Sequence, residues 1–78
     1  METYFYRVFE EFLFDPEIGH YRAYGIELTA QGGETARIAD ISVSREQVER
    51  MAAAYNRHQL FPVHFLDAVE DMLAEDMS

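Results

Sequence analysis

Between Phe61 and Leu73, Pro62, Phe65, Leu66, Val69, Met72 and Leu73 recur at three- and four-residue steps, while His64, Asp67, Glu70 and Asp71 take the other side. That period predicts an amphipathic helix with an acidic back, continued by Glu75 and Asp76. Pro62 suits the first turn, where its fixed φ is already helical and its missing N–H has no intrahelical partner. Phe61, before the proline, is pushed out of the α region, so the chain bends there. The same spacing appears upstream in Val48, Met51, Ala52 and Tyr55. Ser44 and Gln47 fit a capping box, and Val43 with Val48 fits a hydrophobic staple. The first helix therefore starts at Ser44 and ends near Asn56 or Arg57.

Earlier in the chain the period shortens to two. Tyr4–Phe14 is rich in aromatics, with Tyr4, Tyr6 and Val8 on one face and Phe5, Arg7 and Phe9 on the other, which predicts a strand. Its alternation blurs at Glu10-Glu11, predicting a bulge or the end of pairing there. Asp15-Pro16-Glu17-Ile18-Gly19 carries turn formers. A second strand follows from His20 to Ala30, with Tyr24, Ile26, Leu28 and Ala30 on one face and Gly25 marking a twist, bulge or close backbone approach. Gln31-Gly32-Gly33-Glu34 reads as a hairpin tip, and Thr35–Ile41 as a shorter third strand. Short turns favour an antiparallel meander. The expected fold class is α+β: a three-stranded antiparallel meander covered on one face by a C-terminal helical hairpin. Residues 1–78 form a single domain.

Composition sharpens this picture. Seventy-eight residues lie near the size where one core becomes marginal, and without cysteine the chain has neither disulfides nor thiolate chemistry. Packing must supply the stability, and the six Phe and five Tyr are the large side chains available for it. Fifteen acidic residues face six basic ones, a net charge of −9. That balance opposes direct binding to nucleic acid or an anionic membrane. No apolar run has the length of a membrane span, and the N-terminus lacks a basic n-region, so a cytoplasmic protein is expected.

Three segments carry a resemblance. Tyr24-Gly25-Ile26, then Ile38-Ala39-Asp40-Ile41-Ser42, then Pro62-x-His64-x-x-Asp67-x-x-Glu70-Asp71 resemble a family of short bacterial proteins of unknown function, some carried on mobile elements. The similarity spans residues 20 to 75 and implies no activity.

Candidate chemistry is sparse. His64 with Asp67 and Asp71 on one helix face has ligand types for a divalent metal, and His64 with Asp67 supports a metal-dependent or catalytic alternative. The same residues serve equally as a packed or capping histidine beside solvated carboxylates, and neither a metal nor a cofactor is expected. Ser44 is needed as a cap, so no serine nucleophile remains with a partner in view. Gly32-Gly33 lacks the lysine and following helix of a phosphate loop. The expected function is that of a small, acidic, non-enzymatic protein-binding module. Its contact residues are expected to be Asp67, Glu70, Asp71 and Glu75 on the last helix and Phe5 and Phe9 on the first strand. The partner is a protein with a basic surface. With mobile-element carriage, its concrete form is an inhibitor of the anti-CRISPR or antirestriction type that occupies a basic groove. The competing expectation is a self-associating domain, a homodimer, whose acidity serves solubility.

Overall fold

The computed structural model describes residues 3–33 and 35–77. Met1, Glu2, Glu34 and Ser78 lie outside the described residues, as do the side chains of Asp76 and Met77; the terminal ends, the last position of the predicted hairpin tip and Asp76 of the acidic back fall there. Three strands, β1 (Tyr4–Asp15), β2 (Gly19–Ala30) and β3 (Thr35–Ser42), form one antiparallel sheet in the order β1-β2-β3. Two helices follow, α1 (Arg45–His58) and α2 (Phe65–Met77), separated by the 3-10 turn Pro62–His64. This is the α+β arrangement that the two periods in the sequence predict.

The β1–β2 pairing runs without a break from Tyr4↔Ala30 to Asp15↔Gly19. Glu10 and Glu11 are therefore ordinary members of a long strand, and the predicted interruption there is absent. Their carboxylates break the apolar alternation where the cover of α1 runs out: Glu10 borders a hollow with Arg45 and Glu49 at the start of that helix, and Phe12 and Phe14 beyond it are exposed. At the turn, Asp15 Oδ1 accepts from the Glu17 and Ile18 N–H groups at 2.8 and 3.3 Å, and Gly19 takes φ 85°. The irregularity lies in β3 instead. There the register shifts between Tyr24 and Ile26, and Asp40 adopts φ 53°.

Gly25 sits opposite Phe9, and a Cβ there would meet the Ile38 carbonyl oxygen and lie 2.6 Å from Phe9 Cζ. Of the twist, bulge or close approach that its position allows, the glycine marks a close approach, next to the register shift between Tyr24 and Ile26, and leaves room for the Phe9 ring. On the opposite face Tyr4, Tyr6, Tyr24, Ile26 and Leu28 meet Val48, Met51, Ala52 and Tyr55 of α1 and Phe65 and Val69 of α2 in one core. Tyr6 is its hub, edge-on to Tyr55 at 5.5 Å and to Phe65 at 5.2 Å between ring centroids. Contacts of this kind add to the area they bury.

Capping sets the helix ends. Ser44 is extended at φ −93° and ψ 107°, and its Oγ accepts from the Gln47 N–H at 3.2 Å. Ser42 Oγ accepts from the Ser44 N–H at 3.0 Å and donates to Gln47 Oε1 at 2.7 Å, tying the end of β3 to the start of α1. The staple does not form, because Val48 is fully buried while Val43 is 68% exposed. The bulged end of β3 turns Val43 away. α1 ends at His58, a residue or two beyond expectation, where Gln59 closes it at φ 48°. Phe61 is extended, as its position before proline requires, and Pro62 opens a 3-10 turn before α2.

One apolar assignment is corrected. Leu66 is 55% exposed, whereas Phe65 and Val69 are buried and Met72 and Leu73 pack against the core. The stripe is broad enough that its edge lies outside the contact with α1, and Leu66 occupies that edge.

Candidate interaction surface

Around α2, Leu66, Glu70, Ala74, Asp67, Asp71 and Glu75 follow one another in angular order at 100° per residue, and all are exposed. The helix carries no Lys or Arg. Val63 (79% exposed) precedes it on the 3-10 turn, and Phe61 (61%) stands just before that turn. The outward side of α2 is therefore an apolar strip, Val63 and Leu66, continued by carboxylates. Asp67, Glu70, Asp71 and Glu75 are brought together as expected, and the apolar strip beside them is what sequence reasoning missed. Its signal was present: Leu66 adds a second large residue next to Phe65, more than one helix contact covers.

The two strand residues proposed from the sequence part company. Phe5 is exposed on the sheet face away from the helices. Phe9, on the same face, is half-buried: it rests on Gly25, and the Arg37 guanidinium lies 3.9 Å from its ring centroid. A cation over a ring at that distance is a satisfied contact. This face carries further local pairs, Arg7 with Glu27 at 2.8 Å, the Asp40 N–H donating to Glu11 Oε2 at 2.8 Å, and Tyr21 OH donating to Asp40 Oδ2 at 3.1 Å.

A second exposed apolar group, Phe12, Phe14, Ile18 and Val43, lies at the far end of the β1–β2 hairpin. Arg22 reaches over Phe12 at 5.2 Å, and Phe14 meets His20 at 5.0 Å. Phe12, His20, Arg22, Tyr24 and Val43 line an open hollow of about 670 Å³ there.

No His, Cys, Asp or Glu group of three or more is arranged to hold a metal ion among the described residues. His64 is exposed on the 3-10 turn and borders a groove with His58, Leu60 and Phe61. No charged side chain among the described residues is buried. Burial pushes the hydroxyls of Tyr6 and Tyr55 up to about 12, with smaller contributions from Tyr4 on Tyr6 and from Tyr6 and Asp71 on Tyr55. Tyr6 OH donates to the Leu60 carbonyl at 2.5 Å, and Tyr55 OH has no hydrogen-bond partner among the described residues. Both are core groups, holding the start of α2 against the sheet. No helix among the described residues is long and apolar enough to cross a membrane.

The fold and surface define a small α+β domain with an open sheet and a helical hairpin on one side. Residues 1–75 match the Family of unknown function (DUF6514), and the chain belongs to that family. No curated protein and no solved structure matches the chain.

Proposed function

We propose that the protein is a non-enzymatic binding module that docks the outward side of α2 on a basic protein surface. The observation that carries this reading is Leu66, exposed at 55% with Val63 one turn before it and Asp67, Glu70 and Asp71 around it. An exposed apolar strip rimmed by like charges suits association with a surface of opposite charge, the strip supplying contact area and the carboxylates the encounter rate. The narrower form is an inhibitor of a nucleic-acid-binding or defence protein, of the anti-CRISPR or antirestriction type. The net charge of −9 supports it, since carboxylates on a basic groove replace phosphates.

The test begins with a partner captured from the source cell and proceeds to kinetics. Asp67→Lys with Asp71→Lys slows association at low salt and leaves helicity intact, because lysine is a good helix former. Leu66→Ala speeds dissociation. Equal association rates for wild type and the double reversal at low salt would reduce the acidic face to a solubility device. In the inhibitor form, nucleic acid competes for the same partner.

A further inference from the structure

The free edge of β1 is covered for only part of its length. The Asn56 side-chain amide accepts from the Tyr6 N–H at 2.7 Å and donates to the Tyr6 carbonyl at 2.8 Å. Gln59 does the same for Tyr4, at 3.0 Å in both directions. The two amides stand where a neighbouring strand would pair. In an antiparallel ladder outward and inward backbone groups alternate, and the β1–β2 register is unbroken, so Val8, Glu10, Phe12 and Phe14 point their N–H and C=O groups out of the same edge. Among the described residues nothing is hydrogen-bonded to those outward groups. The open stretch runs from the Asn56 cap to the Asp15-Pro16 turn, and its midpoint is Glu11.

We infer that this open edge, Val8–Phe14, pairs antiparallel with the same edge of a second copy about a two-fold axis at Glu11, making a continuous six-stranded sheet. This register uses the whole uncovered edge: Val8 with Phe14 of the second copy, and Glu10 with Phe12. Like charges on an edge ordinarily prevent such pairing. Here both acids are drawn inward over β2, Glu11 to the Asp40 N–H at 2.8 Å and Glu10 to Arg22 at 3.8 Å. Arg22, lying over Phe12, also comes beside Glu10 of the second copy, so the inner face of the joint is charge-complementary. Phe12 and Phe14 are 73% and 64% exposed, and at roughly 200 Å² per ring they offer about 270 Å² per copy. With seven residues of strand edge the interface reaches on the order of 1,000 Å², the low end for a specific contact, so the dimer forms in a concentration-dependent way. This surface is separate from the outward side of α2, and the two proposals stand or fall independently.

Sedimentation velocity of the unmodified chain over a wide concentration range reads the association directly. A monomer–dimer equilibrium is expected, and a monomer throughout overturns the inference. In the same samples, amide exchange slows at Val8, Glu10, Phe12 and Phe14 as the dimer fills; slowing confined to other residues overturns the edge assignment. Phe12→Lys with Phe14→Lys changes side chains that are exposed in the monomer, and moves the dimer midpoint to about tenfold higher concentration or beyond. Register is tested by Glu11→Cys in this cysteine-free chain. Directly opposed residues of a non-hydrogen-bonded pair lie about 4.5 Å apart at Cα, within disulfide reach. Oxidation cross-links Glu11→Cys to itself and leaves Arg7→Cys monomeric, whereas preferential cross-linking of Arg7→Cys overturns the register.

Discussion

Leu66 and Val69 stand three residues apart on one helix with opposite fates, one exposed and one at 2% exposure. Val69→Ala is expected to destabilise the protein by about 2 kcal/mol through lost burial and the cavity it leaves, while Leu66→Ala costs under about 0.5 kcal/mol. Denaturant titration of both checks this, and equal losses would mean that α2 is rotated relative to the core. Gly25 offers a second contrast at this scale. The Ile38 carbonyl and the Phe9 ring occupy the space a methyl group would take, so Gly25→Ala should cost on the order of 1–3 kcal/mol by overpacking. The flexible Phe9 ring can swing aside more readily than the Ile38 backbone, so Gly25→Ala with Phe9→Ala should recover only part of the loss.

At the level of elements, the capping arrangement joins β3 to α1 through Ser42, Ser44 and Gln47. Ser44→Ala should lower stability by about 1 kcal/mol, the usual cost of losing an N-cap side chain, and leave any partner binding unchanged. Thermal melts and a binding assay on one preparation separate the two effects. The capping signal, the apolar stripes and the turn at Asp15-Pro16 were all legible because each is a local agreement of residue type and backbone. The continuity of β1 through Glu10-Glu11 was not. Period-two patterning assumes one face covered along the whole strand, and here the cover of α1 ends near Glu10, leaving Phe12 and Phe14 exposed.

For the whole molecule, the buried tyrosines make a statement about pH. Tyr6 and Tyr55 are raised from the ordinary 10 to about 12, chiefly by burial. The folded state therefore holds these protons at pH values where the unfolded chain has lost them. Their contribution to stability is intact below about pH 10 and is lost as pH rises through about 12. The urea midpoint should stay level up to about pH 10 and fall between about pH 10 and 12. Tyr55→Phe, which removes a buried hydroxyl without a described partner, should reduce the alkaline fall and cost little at neutral pH. An unchanged alkaline profile in that variant would assign the loss to other groups.

What the sequence alone determined was the list of elements and their order: two periods, one serine cap, one proline start and two turns, all set by neighbours within a few residues. It also grouped Asp67, Glu70, Asp71 and Glu75 on one side of a helix, since 100° per residue needs no tertiary information. The tertiary structure decided which edge of each apolar stripe is covered. It turned Leu66 outward, placed the Phe9 ring between Gly25 and Arg37, and left Phe12 and Phe14 beyond the reach of α1. It also brought Asn56 and Gln59 to the β1 edge, across 50 and 55 residues of chain. Those outcomes depend on where α1 ends relative to the sheet, a long-range quantity that no local pattern of hydrophobic and polar positions encodes.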